Sequence, residues 1–203
     1  MLGTLIPPGQ LADFVPLAER AVSVDAGSLI RFRATEQALA GFVRLPYDVL
    51  AGRTLAAEPS AAFDITVSAA DFLGWVERSG PVPAGRDAHW LSALPPRTGW
   101  RRVDLVPDSV VRDLVRSGAE LAAGTTSRQS QESLLASVVL TAADGALPEV
   151  RVRLGALTAL TRMGFLPRDG RAAIDTAPGW IRIAAAYGST YVSDGNQLGL
   201  LSL

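Results

Sequence analysis

The chain has 203 residues, 48% of them hydrophobic and 19% charged, with a formal net charge of −1. That is enough chain to bury a core without a disulfide or metal staple, as one large domain or two small ones. It holds no cysteine and all 19 basic residues are arginine, which excludes disulfides, thiolate nucleophiles, zinc ribbons, Schiff-base lysines and the lysine of a phosphate-binding P-loop.

Leu11–Ala21 predicts a short helix that restarts at Pro16, a residue tolerated in a first turn but not in a helix interior. Strand-like alternation follows at Leu29–Arg33 and Ala40–Leu45, plausible antiparallel partners, then at Leu50–Ala56 and Phe63–Ser68. Ser68 is a good N-cap, with Asp71 three residues on, for a helix whose apolar face is Phe72, Leu73 and Val76 and which stops at Gly80.

Between Gly80 and Gly99 the periodicity fails. Four prolines and three glycines stand in this stretch, which predicts a long irregular connection of the kind that serves as linker, lid or binding loop. It divides the chain into a β-rich half (1–80), the connection (81–99) and an α+β half (100–203). The second half opens with a strand over Trp100–Val106. A helix follows from Pro107 to Gly124, with Val111, Leu114, Val115, Gly118 and Leu121 on its apolar stripe. Thr125–Gln131 reads as a polar loop or cap. Strands are expected at Ser137–Thr141 and Val150–Leu154, a helix over Gly155–Met163, and strands through Ala172–Leu203 with turns near Pro178-Gly179, Gly188 and Asp194-Gly195. The fold class is therefore α+β: mostly antiparallel sheet, three or four helices, two halves of similar size. Asp64–Gly80 and Glu149–Phe165 share a strand-into-helix pattern, which reads better as two ordinary β-to-α corners than as a duplication.

No catalytic, cofactor-binding or metal-binding residue is nominated. His89, the one histidine, stands beside Asp87 and Trp90 in the irregular stretch, but no G-x-S-x-G elbow presents a nucleophile and Asp87 is too near in sequence to orient it. One histidine without cysteine does not make a coordination shell, and no glycine-rich phosphate loop occurs. His89, Trp90, Trp100, Arg101 and Arg102 remain as candidate interaction residues. Trp100-Arg101-Arg102 could stack on a ligand or grip a phosphate, although a strand with Arg102 packed along the Trp100 indole is the plainer expectation. The helix over Leu154–Met163 presents leucines, alanines and threonines, with Arg162 its one charge. It is a buried helix, unsuited to reading a DNA groove.

Arg162–Pro167 (R-M-G-F-L-P) and Gly179–Gly188 (G-W-I-R-I-A-A-A-Y-G), with the lysine-free composition, resemble a family of uncharacterised proteins of high-GC actinobacteria. The resemblance covers about the last third of the chain and implies no activity, cofactor or site residue.

No uncharged run approaches the ~18 residues of a membrane helix, and Met1–Pro8 lacks the features of a signal peptide. A soluble cytoplasmic protein is expected. Its leading function is a non-enzymatic interaction or regulatory module, partnered by protein or by itself. The alternatives are a ligand-binding protein or enzyme using Asp, Glu, Arg or Ser in a cleft between the halves, and a weak nucleic-acid binder through its arginines. With a net charge of −1, nucleic acid is not an expected partner.

Overall fold

A computed structural model describes residues 6, 8–124, 127–145 and 149–193. The expected turn at Asp194-Gly195 and the strand beyond Ser193 lie outside these residues, as do Met1–Leu5 and the start of the polar loop at Thr125-Thr126. The chain divides into two compact units, Met1–Leu45 with Leu50–Ala93, and Pro46–Val49 with Leu94–Leu203. Gly80–Ala93 of the irregular stretch thus goes with the first unit and Leu94–Gly99 with the second.

In the first unit, a turn of 3-10 helix at Ala12–Phe14 leads into α1 (Val15–Val24), which begins with Pro16 in its first turn, where the ring's fixed φ suits a helix and no N–H is missed. Four strands follow, β1 (Leu29–Ala34), β2 (Ala38–Leu45), β3 (Val49–Ala56) and β4 (Phe63–Ser68), and then α2 (Ala69–Arg78). The strand order is β4-β1-β2-β3, with β1 antiparallel to both β2 and β4. The turn between β2 and β3 uses left-handed backbone at Tyr47 (φ 65°) and Asp48 (φ 55°). Ser68 caps α2 by accepting the Asp71 N–H at 3.2 Å. Ser79, not Gly80, takes the left-handed C-terminal position (φ 53°), and the Gly80 N–H returns to the Gly74 carbonyl at 3.0 Å.

Alternation decides which side of β1 is buried. Ile30, Phe32 and Ala34 face the helices, and Arg31 and Arg33 face the other way. Phe32 sits between Phe14, edge-on at 5.3 Å, and Phe72 of α2, tilted at 5.1 Å. All three rings are fully buried. Gly41 in mid-β2 is the space this cluster occupies, since a Cβ there would meet the Phe14 ring at 2.6 Å.

The second unit contains β5 (Arg101–Pro107), α3 (Asp108–Ala123), α4 (Arg128–Ala136), β6 (Val138–Ala142), β7 (Val150–Arg153), α5 (Leu154–Arg162), β8 (Arg171–Ala177), β9 (Trp180–Ala185) and β10 (Gly188–Ser193). β5-β8-β9-β10 form an antiparallel run, and β6 and β7 a separate two-stranded sheet. Helix α5 is the buried one, with Leu154, Ala156, Leu157, Ala159 and Leu160 inside. It packs on α3 and β10, and the buried Thr190 hydroxyl donates to the Ala156 carbonyl at 3.2 Å.

The α+β class and antiparallel sheet match expectation, but the described residues hold five helices of nine residues or more, against three or four expected. The addition is α4, in part of the stretch read as a polar loop. Ser127 caps it by accepting the Ser130 N–H, and Arg128 pairs with Glu132 one turn on. The two strand-into-helix segments are the ordinary corners expected of them. β4–α2 and β7–α5 are both β-to-α corners, but β7 belongs to the small sheet. The counterpart of β4–α2 is β5–α3. In each unit a strand that enters a helix lies beside the first strand of a three-stranded antiparallel meander, β4 beside β1 and β5 beside β8. The first unit makes its meander before that corner and the second unit after it.

Among the described residues no helix is long and apolar enough to cross a membrane.

Candidate functional site

The irregular stretch is anchored by Trp90 within it, in the first unit, and by Trp100 immediately after it, in the second. In the first unit, Arg86 and Asp87 cap the outer edge of β4. The Arg86 N–H donates to the Thr66 carbonyl at 2.7 Å, and the Asp87 Oδ1 accepts the Thr66 N–H at 2.6 Å. Asp87 thus stands in for a neighbouring strand and shields the edge, so that this oxygen is spent on the backbone and not on His89. A 3-10 turn over Asp87–His89 then delivers the Trp90 ring, which is buried. Its indole N–H donates to the Ser92 carbonyl at 2.6 Å. The Arg31 guanidinium lies 5.9 Å from its ring centre and makes a two-pronged pair with Asp64 at 2.6 and 3.0 Å. That pair, together with nearby Asp87, raises the Arg31 pKa above its ordinary value.

The second unit repeats the device. Asp175 of β8 is only 2% exposed and lies directly across from Arg102 on β5 and Arg182 on β9. It accepts from Arg102 Nε at 3.1 Å and from Arg182 Nε and a terminal nitrogen at 2.9 and 2.7 Å. The Arg182 guanidinium is 4.4 Å from the Trp100 ring centre, Tyr191 packs at 5.9 Å, and the Trp100 N–H donates to the Pro96 carbonyl at 3.0 Å. A guanidinium held flat by a carboxylate offers its face to an aromatic ring, and here each unit combines the two contacts. Trp100 therefore stacks on Arg182, distant in sequence, and not on Arg102 two residues along.

Trp90, Trp100 and Arg102 are thus engaged within their units, Arg102 with its side chain still 55% exposed, and His89 and Arg101 are exposed. Sequence reasoning missed Leu91, which is 86% exposed next to the buried Trp90. It also missed Arg31, Asp64, Asp175 and Arg182. Their alternation was legible, but the pairing that joins them was not.

Elsewhere, both carboxylate oxygens of Asp108 are buried without a hydrogen-bond partner among the described residues. This residue opens α3 and is 1% exposed, close against Gly170. Burial raises its pKa, Arg112 opposes the rise, and Asp169 adds to it. A carboxyl whose folded pKa exceeds its unfolded value, about 3.9 for Asp, contributes stability that is complete below the unfolded pKa and lost as pH rises through the folded pKa. Asp108→Asn is therefore expected to be more stable than the parent at pH 7, by about 1 kcal/mol. Its melting temperature should fall less between acid and neutral pH, as differential scanning calorimetry would read directly. A shallow groove of about 640 Å³ in the first unit is lined by Gln10, Asp13, Gln37, Leu55 and Glu58 among others. No group of three or more potential metal ligands gathers among the described residues.

A family model described as a domain of unknown function, DUF8185, matches residues 95–197, just over half of the chain. The chain belongs to the DUF8185 family. A second model, the domain of unknown function DUF8010, matches residues 4–92 ahead of the DUF8185 region. No curated protein matches the sequence.

Among solved structures the DUF8185 chain is similar to a Bacillus subtilis DNA polymerase sliding clamp. The identity is 17% and the TM-score 0.60, over 93% of this chain and 64% of that one. It is also similar to the DNA polymerase III subunit beta of Pseudomonas aeruginosa, at 14% identity and TM-score 0.60, over 90% and 63%. A third is the sliding clamp of Caulobacter crescentus, at 13% and 0.57, over 95% and 67%. What is shared at these identities is the fold, and this chain spans less than two thirds of the first clamp's length.

The functions expected from sequence are overturned by this likeness. It favours none of the unspecific regulatory module, the cleft enzyme and the arginine-mediated nucleic-acid binder. The expectation that nucleic acid is not a partner, which rested on the net charge and on the buried helix at Leu154–Met163, is not supported by this likeness either.

Proposed function

We propose that this protein has a clamp-like protein-interaction role. The observation that carries the proposal is the sliding-clamp fold over nine tenths of the chain. Charge supports protein as the partner. The helices α1, α2, α3 and α5 carry Glu19, Asp71, Glu77, Asp113 and Glu120 alongside Arg20, Arg78, Arg112, Arg116 and Arg162, a mixed field suited to a protein surface more than to a polyanion. We assign partner contact to the exposed His89 and Leu91 on the first unit, and to Arg101 with Arg102 on the second. Trp90 and Trp100 hold the backbone on which these residues stand. An apolar side chain shown from a fixed backbone binds without a large ordering cost.

The test is affinity capture with the full chain in its host, paired with duplex-DNA binding at about 50 and 200 mM salt. Wild type should retain a protein partner, and Leu91→Asp and Arg101→Glu should retain about tenfold less or lower still. Val24→Asp, at an exposed position on α1, should capture normally. Capture indifferent to Leu91 and Arg101, or salt-sensitive DNA binding with no protein partner, would contradict the proposal.

A further inference from the structure

Two segments singled out in the sequence, Arg162–Pro167 and Gly179–Gly188, meet in the second unit, and a short strap ties the first of them to α3. Gly164, left-handed at φ 64°, follows α5, and the chain then runs through residues 165–170 into β8. Phe165 and Leu166 are buried, whereas Arg168, Asp169 and Gly170 are exposed. Phe165 fixes the near end of the strap. Its ring fills the space over Gly188, where a Cβ would meet it at 2.5 Å, and its carbonyl accepts the Tyr187 N–H at 3.1 Å. Helix α3 holds the far end. Arg112 donates to the Leu166 and Pro167 carbonyls, and the Asp108 N–H donates to the Gly170 carbonyl at 3.0 Å.

Beneath that far end lies the Asp108 carboxyl. A Cβ on Gly170 would stand 2.9 Å from its Oδ2 and 2.9 Å from the Pro167 Cγ, so the glycine backbone itself is the cover. A helix N-terminus favours a carboxylate, yet no N–H of the first turn of α3, nor any other donor among the described residues, bonds either oxygen. Burial disfavours the ionised form, Arg112 on the same helix favours it, and Asp169 on the strap disfavours it. From β5 the adjoining residues Val106 and Pro107 carry no charge, and Arg168 and Arg171 on either side of the strap's end are exposed. Arg112 is committed to the strap carbonyls. The donors left to an ionised carboxyl are therefore water molecules, one exposed glycine away, and without them its burial is costly.

We infer that Asp108 is a proton-operated latch on this strap. Protonated, it lies under Gly170 with the strap closed on α3. Ionised, it draws in water, and residues 166–170 lift from α3 and uncover Leu166, while Phe165 stays seated on Gly188. The direction follows from the covering. A carboxyl that is easier to ionise in the open form than in the closed one closes the strap in acid and opens it as pH rises. The inference goes beyond the interaction role above and does not rest on it.

Hydrogen exchange on the full chain as a function of pH, corrected for the intrinsic rate, tests it at the amide of position 108, which the Gly170 carbonyl protects. In the wild type that protection should fall by up to about tenfold per pH unit above the ordinary Asp value of about 3.9, and level off once the closed form is ionised too. The Tyr187 amide, bonded to Phe165 at the seated end, should show no such step. Asp108→Asn should keep its acid-range protection at every pH. Asp169→Asn should keep the step but make it smaller. Gly170→Ala should hold the strap open, with low protection at position 108 throughout. Wild-type protection that does not change with pH would overturn the inference. So would a step that persists in Asp108→Asn, or an equal step at Tyr187, which would mean that the whole unit loosens and not the strap.

Discussion

Replacing Phe32 with alanine is expected to cost the protein about 3–5 kcal/mol, the range for emptying a fully buried aromatic site. The site has little means of collapsing around the loss. Phe32 is held on one side by Phe14, from the turn ahead of α1, and on the other by Phe72 of α2. Phe14 lies over Gly41, which has no side chain to fill the space. The three rings come from elements on both flanks of β1, so one truncation loosens both helices of the first unit from the sheet. Urea unfolding followed by circular dichroism would give the figure. A loss below about 1 kcal/mol would mean that the aromatic cluster is not the centre of this unit's core.

The second large effect is expected at Asp175. Its carboxylate is buried between Arg102 and Arg182, and Asp175→Ala leaves two guanidinium groups without their counter-charge. Removing one partner of a buried pair costs about 3–5 kcal/mol, and the partial exposure of both arginines brings the expected loss to about 2–3 kcal/mol. Arg182 also lies against Trp100, so the near-ultraviolet signal of the tryptophans should change with the stability. Adding Arg182→Met to Asp175→Ala should recover part of the loss, because the uncompensated charge goes with it. A double variant as damaged as the sum of the two single ones would show that the pair is not coupled.

Local structure was legible in the sequence and long-range structure was not. The alternation of Leu29–Arg33, the strand at Phe63–Ser68, the cap at Ser68 and the proline restart of α1 are contained within a few neighbouring residues, and the structure agrees on each. Helix α4 escaped because only Leu134 and Leu135 supply an apolar face in a run of serine and glutamine. It is held by a cap and an ion pair, with no buried stripe to reveal it. The pairing of β5 with β8, and hence the equivalence of β5–α3 to β4–α2, joins segments some 70 residues apart, and no periodicity records such a register. The clamp fold was invisible for the same reason, since identities of 13–17% leave it to the arrangement of elements. At the candidate site, composition drew attention to the Pro/Gly stretch and to Trp90 and Trp100. Which arginine each ring would cover depended on strand neighbours, and Leu91 carries no signal until its neighbour is seen to be buried.

In the proposed role, the tryptophan-anchored stretch presents its exposed side chains to a protein partner. The most direct measurement places a photo-crosslinking amino acid at Leu91 in the full chain, in the host cell, with the same probe at Val24 for comparison. A discrete adduct with a protein is expected from position 91, diminished when Trp90→Ala frees the backbone that carries it, and none from position 24. Equal labelling from both positions, or an adduct at 91 unaffected by Trp90→Ala, would contradict it.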